Sequence, residues 1–185
     1  MGGKTARRSL RNAFKASPTA KGLGQFIDEA TRLGALRAKL IDPSTVATAE
    51  WVRWRCQYGC GGYGRGLVCP PYSPTPAQTR KTLEEYKRAI LFESPRGRTK
   101  QIAVELERTV FLAGYYKAFG MGAGGCYLCQ RCALGRGCRH PRQARPSMEA
   151  CGIDVFATVR ANGFSIDVVR THGDPQHYFG LVLVE

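Results

Sequence analysis

Carboxylates are scarce in this chain of 185 residues. Against 28 Lys and Arg stand 14 Asp and Glu, a formal charge of +14, and no acid precedes Asp28. That balance excludes an acidic surface and attracts anions: an acidic redox partner protein, an anionic small molecule, or nucleic acid through nonspecific attraction. Nucleic acid ranks last of the three, because the basic residues are not interleaved with aromatics as in an RNA-binding sheet. Histidine is scarce as well. With only His140, His172 and His177, no Ser–His–Asp or Cys–His nucleophile arrangement stands out, and His172 and His177 read as plain surface residues beside a turn. No apolar run is long enough to cross a membrane, and no apolar segment follows Arg7-Arg8 to make a twin-arginine export signal. The expected location is cytoplasmic. Residues 59–66 are glycine-rich but lack the lysine and following helix of a phosphate-binding loop.

Cysteine is what the chain has in excess: eight, in two groups plus Cys151. Cys126, Cys129, Cys132 and Cys138 form a C-x2-C-x2-C-x5-C run. Three thiolates two residues apart wrap around one face of a cubane, as in the C-x2-C-x2-C run of bacterial ferredoxins. Structural zinc more often takes two C-x2-C knuckles across a longer loop, and stays the alternative metal. Glycines at 122, 124, 125, 135 and 137 let the backbone turn around a bound group. The second group is Cys56, Cys60 and Cys69, with five glycines between Cys56 and Cys69 and Pro70-Pro71 at its exit. A proline directly after a ligating cysteine also recurs in ferredoxins. Three cysteines leave a metal site one ligand short. Cys151, His140, another chain, or nothing supplies the fourth; if nothing does, one iron is open to substrate. The expected cofactor is therefore one [4Fe–4S] cluster on the Cys126 run, with a second possible on the Cys56 group. Arg131, Arg136, Arg139, Arg142 and Arg145 surround the first run and suit either charge compensation or docking of an anionic partner.

Along the chain, residues 1–24 read as a flexible basic tail, although an acid-free, Arg-rich start also has the composition of an organelle transit peptide. The metal-binding domain spans residues 25–185. Phe26, Ile27, Ala30 and Leu33 mark a short amphipathic helix, followed by a strand over residues 38–41. Apolar and charged residues alternate over residues 50–56, which predicts a half-buried strand ending at Cys56. A helix over 77–86 and a strand over 88–93 precede the longest helix, over 99–119. A helical turn runs from Pro146 to Ala150. Asp154 caps a helix over 155–161, and strands over 164–169 and 178–185 follow, joined by a turn at Gly173-Asp174-Pro175.

Several long motifs carry a resemblance: residues 69–74, residues 126–132, and Arg139-His140-Pro141 followed by residues 144–150 and 152–155. Together they resemble the family known as domain of unknown function 2284, the predicted metal-binding proteins, over roughly residues 38–185. The family looks bacterial and archaeal, often anaerobic. The resemblance implies that Cys56, Cys60, Cys69, Cys126, Cys129, Cys132 and Cys138 are metal positions, and it does not extend to Cys151.

The expected fold is a single α+β domain. A mixed or mainly antiparallel sheet of about five strands carries helices on one face and holds both cysteine loops together. Three functions are compatible with these residues: an iron–sulfur protein transferring electrons in an anaerobic redox system, an enzyme binding a small substrate at an open iron, and a zinc-stabilised interaction module.

Overall fold

The computed structural model of the protein describes residues 20–185. Most of the expected tail over 1–24 lies outside them. Helix α1 (Ala20–Arg32) takes up the remainder, and Leu23 is already buried.

Strands β1 (Arg37–Ile41), β2 (Ala89–Ser94), β3 (Phe119–Met121) and β4 (Tyr178–Leu183) form one sheet of order β1-β2-β4-β3, antiparallel at every pairing. The central strands explain the layering. Every residue of β2 is buried, so side chains pointing to opposite faces both need cover. Ile90, Phe92 and Val182 face α1 and helix α4 (Thr99–Leu112), meeting Phe26, Ile102 and Leu106. Ala89, Leu91 and Leu181 face the other way. They meet Leu83 of helix α3 (Pro76–Leu83), Val159 of helix α5 (Val155–Ala161), and Met148 and Ile153. The α+β class and single domain hold. The sheet has four strands among the described residues rather than about five, and helices cover both faces rather than one.

Three local expectations are corrected. Residues 50–56 lie not in a strand but in helix α2 (Glu50–Gly59). Only Val52 of this helix is buried, while Trp51, Trp54 and Tyr58 recur at helical spacing along an exposed side. The alternation was an accident of arginines falling between apolar residues. The long helix stops at Leu112 rather than Phe119: Gly114 takes a left-handed turn at φ 105°, and the chain re-enters the sheet as β3. Residues 164–167 alternate in burial, with Phe164 and Ile166 inside, and Val168 and Val169 lie outside, yet the segment pairs with no strand among the described residues. Alternation reports which side chains face the core, not whether a partner backbone is free.

His177 is not a plain surface residue either. Its Nδ1 lies 2.6 Å from Glu93 Oε1, and Arg37 Nε donates to Glu93 Oε2 at 2.7 Å. Burial pushes the Glu93 carboxyl up, but these two partners more than reverse the effect and hold it below its ordinary value.

Gly180 in β4 shows how tightly the α4 face is filled. A Cβ there would fall 2.3 Å from Phe92 Cζ and 2.9 Å from Thr99 Cγ2. Gly180→Ala is expected to destabilise the fold by about 1–3 kcal/mol, read as a lower urea midpoint at unchanged slope. Gly24→Ala, on the open side of α1 with nothing within 4 Å, is expected to stabilise it, by about 0.5–1 kcal/mol.

Candidate metal centre

Both cysteine groups are fastened to one stretch, residues 146–154, which contains the short helical turn Glu149–Cys151. The Gly122 N–H donates to Pro146 O at 3.0 Å, and the Met148 N–H donates to Gly122 O at 2.9 Å. The chain carrying Cys126, Cys129, Cys132 and Cys138 therefore leaves and returns at a closed base. Only glycine fits that base: a Cβ on Gly122 would fall 2.6 Å from Lys100 Cγ and 3.0 Å from Lys100 Cα. This approach sets the first turn of α4, with Lys100, against the root of the loop.

The other group starts on α2. Cys56 lies in its last turn and Cys60 caps its end, four residues apart and so on the same side. Arg53, one turn earlier, donates through Nη1 to Ser73 Oγ at 3.1 Å, Pro74 O at 3.0 Å and Ala150 O at 3.0 Å. Ser73 Oγ donates to Ala150 O at 2.5 Å, and Thr79 Oγ1 donates to Cys151 O at 2.6 Å. The loop from Cys56 to Ser73 is thus held at both ends. Inside it the Gly62 N–H donates to Cys60 Sγ at 3.4 Å. A Cβ on Gly62 would lie 3.5 Å from Cys69 Sγ and 3.6 Å from Cys60 Sγ, so these two sulfurs flank the same glycine.

The two groups meet. The backbone N–H of Leu67 donates to Cys132 Sγ at 3.4 Å. Cys69 feels the charges of Cys126 and Cys132 as well as that of Cys60, and burial pushes its thiol above the ordinary value. Burial likewise raises Cys56, whose neighbours include Cys60, Glu149 and Cys69.

Two buried polar atoms among these sulfurs have no hydrogen-bond partner among the described residues: Lys100 Nζ and Glu149 Oε2. Burial lowers the Lys100 ammonium pKa, opposed by Cys126, Cys69, Glu149 and Cys151. Burial raises the Glu149 carboxyl. Buried polar groups in native proteins nearly always have a partner. A bound thiolate-rich centre would supply acceptors to the ammonium, so the residues present suit a metal group in chemistry and charge. Among the described residues, however, no three His, Cys, Asp or Glu side chains converge closely enough to hold one metal ion. The thiols are assembled as neighbours and not as a coordination sphere.

The remaining expected residues divide. Arg131, Arg136, Arg139 and Arg142 are exposed. Arg145 is paired: its guanidinium meets Glu107, Nη2 to Oε1 at 2.5 Å and Nε to Oε2 at 2.6 Å, with both side chains largely buried. His140 is exposed, and it is its backbone N–H, at 3.3 Å, that donates to Cys138 Sγ. Cys138 and Cys60 are themselves exposed. Cys151 sits in the core against Met148 and Ile153, with its thiol pushed up to about 12 by burial. A groove of about 1260 Å³ runs between α4 and the Cys126 loop, lined by Lys100, Arg108, Arg142 and Tyr127. Lys100, Glu149 and Arg53 were missed by the sequence reading. Glu149 had a signal, an acid between apolar residues inside a quoted motif, whereas Lys100 resembles any other helix lysine.

These features define a small α+β protein whose free thiols are gathered from two separated segments. The chain belongs to the family described as predicted metal-binding protein, domain of unknown function 2284, which matches residues 39–184. No curated protein and no solved structure matches it. No helix among the described residues is long and apolar enough to cross a membrane.

In the reduced, metal-free protein at pH 8, iodoacetamide is expected to label the other seven cysteines and to spare Cys151 until denaturant is added. Peptide mass spectrometry checks this site by site. Lys100→Met, which keeps the aliphatic stem and removes the unpartnered ammonium, is expected to stabilise the metal-free protein by about 1–3 kcal/mol in urea unfolding.

Proposed function

We propose that this protein binds iron–sulfur chemistry of the [4Fe–4S] type on its two cysteine loops and passes electrons to or from an acidic partner in an anaerobic, cytoplasmic redox system. The observation that carries this reading is the meeting of the loops, with the Leu67 N–H on Cys132 Sγ at 3.4 Å. Thiols from both segments can then serve neighbouring irons, and backbone donors to sulfur are among the features that tune such centres. When bound, a cluster of this kind supplies one-electron transfer at a potential set by charge, hydrogen bonding and solvent exposure. The chain's own part is to hold the sulfurs, to offer Lys100 as a buried positive charge beside Cys69 and Cys126, and to present Arg131, Arg136, Arg139 and Arg142 to an anionic surface.

One observation favours a second reading, an enzyme acting on a small anion at an open iron. The groove beside Cys126 is large enough for a small organic molecule and carries Arg108 and Arg142 on its walls. A zinc-stabilised interaction module has only the overall positive charge in its favour.

Anaerobic purification followed by iron, acid-labile sulfide and zinc analysis separates these readings. Brown protein with iron and sulfide in equal amounts, about four irons per cluster, and a reducible EPR signal is the expected result. Colourless protein holding only zinc would overturn both iron readings.

A further inference from the structure

We propose that Cys69 crosses between the two loops and closes the cluster of the other one, so that Cys69, Cys126, Cys129 and Cys132 form one ligand set and Cys138 lies outside it. This assignment rests on the iron–sulfur reading above and departs from the grouping that sequence order suggests.

Three observations carry it. Leu67, two residues before Cys69, already has its backbone N–H on Cys132 Sγ at 3.4 Å, so the Cys69 segment lies against the sulfurs of the other loop. An added Cβ on Gly66 would lie 3.9 Å from Cys69 Sγ, so the sulfurs of Cys69 and Cys132 both approach the Gly66–Leu67 peptide. Lastly, the unpartnered Lys100 ammonium stands at the root of the Cys126 loop, packed against Gly122 and lining the same groove as Cys126. A thiolate centre held there would give that buried donor its acceptors.

Cys138 has none of this. It is exposed, and its sulfur accepts only from the backbone N–H of His140, two residues along its own chain. The chemistry of the spacing agrees. In two-cluster ferredoxins, three closely spaced cysteines are completed by a distant fourth that precedes a proline. Cys69 is followed by Pro70, whereas Cys138 is followed by Arg139. The five residues between Cys132 and Cys138 lead instead through a turn containing two glycines of positive φ, Gly135 at 78° and Gly137 at 80°, to the exposed side of the loop.

The test compares Cys69→Ala, Cys126→Ala and Cys138→Ala, all purified anaerobically from the full chain, by iron and sulfide content and by EPR of the reduced protein. Cys69→Ala and Cys126→Ala are expected to lose the same cluster, about four irons. Cys138→Ala is expected to keep the parent's iron content and EPR signal. Cys69→Ser guards against a simple folding failure: a serine oxygen in place of the sulfur is expected to retain iron with an altered EPR signal. Loss of the cluster in Cys138→Ala, or a parental signal in Cys69→Ala, overturns the assignment while leaving the iron–sulfur reading intact. An iron-free parent overturns that reading and the assignment with it.

Discussion

The carbonyl groups of Ala150 and Cys151 lie inside the protein, where an unpaired acceptor is costly. Arg53 from α2 and Ser73 from the Cys69 exit both donate to the first, and Thr79 from α3 donates to the second. The Ala49 N–H adds a bond to Gly152 O, and Gly122 pairs with the other side of the same stretch. Satisfying one short turn thus draws α2, α3, the root of the Cys126 loop and the exit of the Cys69 loop to a common place. Met148 and Ile153, fully buried on either side of it, fix that place against the sheet. The thiols become neighbours because their flanking segments compete to satisfy the same backbone.

Charge at this end of the molecule is sorted by burial. Arg145 and Glu107 neutralise each other in a largely buried pair, and Glu107 also accepts from the Gly120 N–H at 2.7 Å, so this glutamate holds β3 against α4. The arginines that remain exposed add to the positive charge facing solvent, where it attracts anions and is screened by salt. Lys100 belongs to neither group. Its ammonium is enclosed without an acceptor, while four groups able to carry negative charge, Cys126, Cys69, Glu149 and Cys151, act on it. A buried cation is tolerable where negative charge is meant to gather. Thiolates gather when metal binds, because coordination draws the protons off the sulfurs.

Sequence reasoning was strongest where a single element carries its own signal. Asp154 caps α5 by accepting from the Ala157 N–H, as its position before the apolar run suggests, and the β2 and β4 runs lie centrally as their apolar content implies. It failed where two structures share a pattern. Arginines placed between tryptophans over residues 50–56 mimic strand alternation, but the same residues set Trp51, Trp54 and Tyr58 along one exposed helix side. That misreading mattered for the site, since the expected strand ended at Cys56, whereas the helix runs on to Gly59 and sets Cys56 one turn before Cys60.

The sequence by itself determined the number and spacing of the cysteines, the basic balance and the family, since residue identity and spacing along the chain are local facts. It also keeps Cys126, Cys129 and Cys132 near one another, because they fall within seven consecutive residues. Which segment lies against the Cys126 loop, which arginine is paired, and that a lysine ammonium and one glutamate oxygen stand unpartnered among the thiols were decided only by tertiary structure. Each depends on contacts between residues more than thirty positions apart, such as Leu67 with Cys132, Arg145 with Glu107 and Arg53 with Ala150. Linear spacing carries no information about such contacts. They follow from how buried backbone and side-chain polar groups find partners once the two faces of the sheet are covered.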